Sequence, residues 1–149
     1  MDGIDLLRIT DSNYGLIQNL VAESKQEGFE FVQRTIDDWN SGANRFSRDG
    51  EGFWGLLAGD ELIGIGGLNI DPYTNDSATG RVRHLYIHPA WRRQGRASLL
   101  MTTIIEQARL HFHTLRLFTT NPATAAFYGK LGFQHLSGHK LSHVLILTR

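Results

Sequence analysis

Residues 82–119 constrain the fold of this chain more than any other stretch, because they read as strand, loop, long helix and strand in succession. Residues 82–88 alternate around Leu85 and Ile87 and stop at Pro89, which cannot donate to a sheet ladder. From Gly95 to Phe112, the residues Leu99, Leu100, Ile104, Ile105 and Ala108 share one stripe at helical spacing. Residues 115–119 then read as a strand again. A crossover of this length between two strands predicts a βαβ unit, parallel and right-handed.

The flanking sequence extends that unit into one mixed α/β domain over residues 1–149. Leu6, Leu7 and Ile9 suggest a first strand, followed by the oxygen-bearing helix caps of Thr10-Asp11-Ser12-Asn13. Ile17, Leu20 and Val21 predict a helix up to Gly28, and Phe31, Ile36 and Trp39 predict a second up to Ser41-Gly42. Residues 53–58 and 62–70 are strand-like around Gly59-Asp60-Glu61, the spacing of a hairpin. Residues 71–80 are rich in turn formers. Asn121-Pro122 starts a helix over 123–131 closed by Gly132, and strands at 133–136 and 141–148 are expected to flank Ser137-Gly138. The predicted order is therefore β-α-α-β-β-β-α-β-α-β-β.

Composition narrows the chemistry. The chain of 149 residues is 41% apolar and 20% charged, the balance of a globular protein, and it contains no cysteine. Thiolate zinc sites, disulfides and a cysteine nucleophile are excluded. No apolar run approaches a membrane span, and the start Met1-Asp2-Gly3-Ile4-Asp5 is acidic where a secretory signal is basic. A cytoplasmic protein is the expectation. The formal charge is zero, yet residues 1–76 hold 14 acidic and 5 basic residues, and residues 77–149 hold 10 basic residues and one acid, Glu106. A −9 half thus meets a +9 half, which points to an anion-binding surface in the second.

The sharpest candidate for that surface is His88-Pro89-Ala90-Trp91-Arg92-Arg93-Gln94-Gly95-Arg96-Ala97-Ser98, where a strand hands over to a helix. Free N–H groups at a helix N-terminus and the positive end of its dipole attract anions. Gly95 and Ala97 are small enough to let phosphate oxygens reach the main chain, and Arg92, Arg93 and Arg96 add charge. The plainer alternative is a solvated basic loop.

Arg92-Arg93-Gln94-Gly95-Arg96-Ala97 matches the Arg/Gln-x-x-Gly-x-Gly/Ala signature of the GCN5-related N-acetyltransferases. The lead-in Leu85-Tyr86-Ile87-His88-Pro89 and the later Asn121-Pro122-Ala123-Thr124-Ala125-Ala126-Phe127-Tyr128 also resemble that family, so the likeness covers roughly residues 81–135. The resemblance implies a mixed sheet with a splayed parallel strand pair and acetyl-CoA as cosubstrate. Main-chain groups of Leu85 and Ile87 would hold pantetheine, with Tyr86 between them also in the cofactor site; backbone N–H groups of Arg93 to Ser98 would take the pyrophosphate beside Arg92, and Asn121 would bond pantetheine, its own helix N-terminus or both. It further implies the Ile87 N–H as oxyanion donor and Tyr128 as general acid. Many members carry a Glu base near the start of this strand, where this chain has Arg81-Val82-Arg83; His84 is the nearest titratable substitute. With no thiol on the enzyme, acetyl would pass directly to an amine in a ternary complex.

The acceptor is the less legible partner. The acidic first half lies where the family keeps its acceptor determinants, which suggests a cationic amine. Neither a membrane nor a metal is expected: His111 and His113, and the series His135, His139 and His143, lack a nearby acidic ligand. Gly64-Ile65-Gly66-Gly67 lies within a strand and predicts a bulge or close backbone approach rather than a dinucleotide loop. Trp39 and Trp54 read either as core or as walls of the acceptor cleft. An acetyl-CoA sensor without catalysis and a nucleic-acid module built on the basic half are the rival readings; the second lacks a stacking motif or recognition helix. A homodimer is compatible with all of these.

Overall fold

In a computed structural model, which describes residues 3–147, one seven-stranded sheet carries helices on both faces. The elements are β1 (Ile4–Arg8), a 3-10 segment (Tyr14–Leu20) running into α1 (Val21–Gln26), α2 (Phe31–Ser41), β2 (Gly52–Ala58), β3 (Glu61–Ile70), β4 (Thr79–Ile87), α3 (Arg96–His111), β5 (Thr114–Leu117), α4 (Pro122–Lys130), β6 (Gln134–Gly138) and β7 (Leu141–Ile146). The sheet order is β1-β2-β3-β4-β5-β7-β6, with β4 and β5 parallel and the other pairs antiparallel. The expected element order is met. Met1, Asp2, Thr148 and Arg149 lie outside the described residues.

Two details differ from the sequence expectation. On α3 the buried stripe is Leu100, Met101, Ile104 and Ala108, whereas Leu99 is 42% exposed. Gly95 sets the start of the helix and hence its phase, and that phase turns position 99 outward. In the last hairpin the turn is His139-Lys140 rather than Ser137-Gly138, because Gly138 pairs with Leu141 and leaves two residues to reverse the chain.

Each face of the sheet has its own core. Against α3 and α4 pack Leu68, Val82, Leu100, Ile104, Phe112, Leu115 and Tyr128; against α1 and α2 pack Ile17, Leu20, Val32, Trp39, Phe53 and Ile65. Both tryptophans in question are core residues: Trp39 is 1% exposed and Trp54 6%. Full burial of each large apolar side chain contributes about 1.5–3 kcal/mol.

The glycine run of β3 lets these cores close on the sheet. A Cβ on Gly67 would stand 2.7 Å from the Phe53 ring and 2.9 Å from that of Phe46. The β3–β4 register also shifts between Ile65 and Gly67, so the expected bulge exists, with the extra residue on β4. Gly67→Val is accordingly expected to lower unfolding stability by about 1–3 kcal/mol in a denaturant titration; an unchanged midpoint would show that the two phenylalanines yield freely.

Candidate active site

β4 and β5 pair over three residues only: Thr79 with Thr114, Gly80 with Leu115 and Arg81 with Arg116. Beyond Arg81 the two strands part, and the outer edge of residues 82–87 is left without a neighbouring strand. The His88 N–H bonds to the Ile63 carbonyl at 2.8 Å, and Ile87 stands opposite Gly64. Antiparallel ladders alternate hydrogen-bonded and non-bonded pairs, so the Ile87 N–H points away from β3 into this gap. On the same edge the bulge puts His84 at φ +57°, a left-handed conformation rare for a residue with a Cβ.

The loop after β4 turns back through Pro89–Trp91 and delivers the chain to α3. Arg93 (φ +65°) and Gly95 (φ +76°) are both left-handed, which curls successive N–H groups toward one side. The first helical bond of α3 runs from the Leu99 N–H to the Gly95 carbonyl, so the N–H groups of Arg96, Ala97 and Ser98 have no carbonyl of their own helix to bond. A Cβ at Gly95 would meet nothing within 4 Å, so the space before it is open. An anion fits there, at the positive end of a 16-residue helix.

The three arginines of the loop have different tasks. Arg92 forms a bidentate pair with Glu27, 2.7 Å on each branch, and its Nε donates to the Ile87 carbonyl at 2.8 Å. Tyr86 donates its hydroxyl to the same Glu27 at 2.5 Å, and its ring lies 5.4 Å beneath the Arg92 guanidinium. The Arg92 hydrogen bonds hold the Glu27 carboxyl below its ordinary range. Arg92 therefore ties the end of α1 to the loop. Arg96 bonds the Gln94 amide oxygen at 3.0 Å and lies over the Trp91 ring. Exposed Arg93 makes no ion pair among the described residues.

Across the gap, α4 carries Asn121 and Tyr128. Asn121 caps the helix, its Oδ1 accepting from the N–H groups of Ala123 at 2.9 Å and Thr124 at 3.2 Å. Tyr128, 5% exposed, packs against the rings of Phe127 and Phe133 and belongs to the same buried cluster as Ile87. Burial pushes its phenol above the usual range.

His84 sits on the opposite face, toward α2. Thr35 Oγ1 donates to the Phe31 carbonyl at 2.8 Å, so its 2.5 Å contact with His84 Nδ1 requires that nitrogen to donate. The proton is then on Nδ1 and the lone pair on Nε2. Burial first, then Arg83 and Arg34, lower this histidine to about 3. The folded state thus binds a proton less readily than the unfolded one, and stability is lost as the pH falls from about 6.5 toward 3. The slope reaches at most about 1.4 kcal/mol per pH unit. His84→Gln should flatten this part of a stability–pH curve; an unaltered slope would contradict the assignment.

The sequence reading brought Leu85, Tyr86, Ile87 and residues 92–98 to one strand end and loop, and the structure places them there. It missed Glu27, 65 residues from its partner Arg92, and the charged group of Arg81, Arg83, Arg116 and Asp71 below the gap. The alternation in Arg81-Val82-Arg83 was the one local sign of the latter. Of the histidines, His135 and His143 are register partners with rings 5.6 Å apart, and His139 is in the turn; no group of three metal-capable side chains occurs among the described residues. No helix among those residues is long and apolar enough to cross a membrane.

Comparison with known proteins agrees with this geometry. The family model for the Acetyltransferase (GNAT) family matches residues 16–133. The crystal structure of a proposed acetyltransferase from Exiguobacterium sp. 255-15 is similar at 32% identity and TM-score 0.85, covering 98% of this chain and 94% of that one. A GNAT-family acetyltransferase from Staphylococcus aureus Mu50 (15% identity, TM-score 0.76, 97% and 99% covered) and an acetyltransferase from Streptococcus agalactiae 2603 (17%, 0.70, 97% and 97%) share the fold. Among curated proteins, none matches. A parallel pair that parts above an open helix start, and a family match across both, have one meaning: the chain belongs to the GNAT family of acetyltransferases.

Proposed function

We propose that the protein is an acetyl-CoA-dependent N-acetyltransferase that passes acetyl directly to a primary amine on a small molecule or peptide. The observation that carries this reading is the end of β4–β5 pairing at Arg81 and Arg116, which leaves the Ile87 N–H facing a gap that leads to the start of α3. Acetyl-CoA supplies an acyl group activated as a thioester. Main-chain groups of Leu85 and Ile87 serve as the strand edge for its amides. N–H groups of Arg96, Ala97 and Ser98 take the pyrophosphate, with Gln94 and Gly95 shaping the loop and Arg93 adding charge. Arg92 acts indirectly, by fixing the loop to Glu27.

The Ile87 N–H is a fixed dipole where carbonyl oxygen gains charge, and such a donor needs no reorganisation as the barrier is crossed. Tyr128 donates a hydrogen bond from its hydroxyl to the departing sulfur, which leaves as thiolate and takes its proton from solvent. His84 presents Nε2 to the acceptor nitrogen; a ring near pKa 3 is a weak base, so solvent completes the proton removal. Commitment of Arg92 and Arg96 within the loop speaks against a nucleic-acid surface.

Calorimetry with acetyl-CoA, followed by thiol release with a panel of amines, tests the reading. Saturable binding and amine-dependent thiol release are expected. Absence of heat at millimolar acetyl-CoA would overturn it, and binding without release for any amine would favour a sensor.

A further inference from the structure

We infer that the acceptor amine also carries an anionic group, a carboxylate or a phosphate, and that Arg83 binds it in the cavity between β4 and the end of α2. The inference rests on the transferase reading and names its substrate class. A cavity of about 390 Å³ is lined by Asp38, Arg45, Glu51, Asn69, Pro72 and Arg83 among others, within the range that holds small molecules. Through Arg83 it reaches the strand that carries the reacting edge. Arg83 precedes His84 on the bulge, and the residues of α2 facing the two, Asp38 and Thr35, are one helical turn apart.

Charge in this region is unbalanced. Half-buried Arg83 has no hydrogen bond or ion pair among the described residues. Behind it, Arg81 is 6% exposed, and its nearest carboxylate is Asp71 at 3.8 Å, which Arg116 approaches at 3.4 Å. The cations Arg34, Arg45, Arg48, Arg81, Arg83 and Arg116 thus surround the anions Asp38, Glu51 and Asp71. Glu51 is fixed in place, its two oxygens accepting from the N–H groups of Arg48 at 3.0 Å and Ile70 at 2.8 Å. Burial lowers the pKa of both Arg81 and Arg83, opposed by Asp71 at each and by Asp38 at Arg83. Asn69 Oδ1, buried and without a hydrogen-bond partner among the described residues, adds an acceptor beside the cavity for a ligand N–H or O–H.

Three acids of the first half are engaged elsewhere. Glu27 is held by Arg92, Asp11 accepts from Trp39 Nε1 at 2.8 Å, and Asp71 lies among arginines. In the lining of the cavity itself, arginines outnumber carboxylates three to two.

The test is a matched acceptor panel with acetyl-CoA: amino acids against their amides, phosphoethanolamine against ethanolamine, and spermidine as the cationic arm. The anionic member of a pair should exceed its neutral partner in kcat/KM by about 10- to 100-fold, the worth of one charged hydrogen-bonding contact. Whether the carboxylate or the phosphate pair shows the gap identifies the group. Arg83→Gln should erase the gap with acetyl-CoA affinity unchanged, and Arg83→Lys should restore part of it. Neutral amines or spermidine outperforming every anionic member would overturn the inference and leave the transferase reading intact. Should no amine be acetylated, that reading fails by itself. The anion site is then read by titrating N-acetylated amino acids and their amides into the CoA-loaded protein: preference for the acid, lost in Arg83→Gln, supports it, and equal binding overturns it.

Discussion

Replacing Tyr128 by phenylalanine is expected to lower turnover about 100-fold or more while the dissociation constant for acetyl-CoA moves by less than about twofold. The structure makes this substitution unusually clean. Tyr128 is 5% exposed, and the rings of Phe127 and Phe133 lie 5.2 and 5.4 Å from its own. Its hydroxyl has no hydrogen-bond partner among the described residues, so removal of the oxygen breaks no bond of the fold. What is lost is a donor. Burial raises the phenol above its ordinary value near 10, so the group stays protonated at working pH and is better suited to stabilise a departing thiolate by hydrogen bonding than to ionise fully. The pH–rate profile should consequently show no tyrosine limb below about pH 10. Unchanged turnover would remove Tyr128 from the chemistry, and an equal loss of affinity would make it a binding residue.

Trp39→Ala is expected to remove about 3–5 kcal/mol of stability, the upper range for a large aromatic deleted from a packed core. Trp39 is 1% exposed, stacks on Tyr14 with centroids 5.2 Å apart, and meets Phe46 and Phe53 at 5.9 and 5.8 Å. Its Nε1 also bonds Asp11, joining α2 to the segment after β1. The loss is therefore a cavity plus an acceptor left without its donor. For a domain of this size it corresponds to a fall in Tm of roughly 10 °C or more. A loss below about 1.5 kcal/mol would show that the α2 face collapses around the gap. Because α2 also holds His84 through Thr35, substrate turnover should fall further than the folded fraction explains.

What could be read from sequence was what is local. The βαβ unit announced itself because an 82–88 alternation, an amphipathic run and a second short strand occur in order. The start of α3 did so because Gly95 must adopt φ +76° where the helix begins. Asn121 was legible as a cap for the same reason: its two hydrogen bonds reach only two and three residues ahead. Features set by distant partners were not. The Arg92–Glu27 pair, the bond of His84 to Thr35 and the crowding of Arg81 and Arg116 on Asp71 join residues that no spacing rule connects. The charge asymmetry likewise says nothing of which carboxylates meet a partner. Within the −9 half, Glu27 and Asp71 face arginines, Glu51 faces backbone N–H groups and Asp11 an indole, partners that only the fold supplies.

The central claim is that the parted edge of β4 and the start of α3 together receive acetyl-CoA. Amide NMR of the protein titrated with acetyl-CoA tests it most directly. Saturable shifts concentrated at Ile87 and at Arg96, Ala97 and Ser98 are expected, with the β1–β2 edge unmoved. No saturable shift at millimolar acetyl-CoA, or shifts that leave Ile87 and the α3 start unchanged, would contradict it.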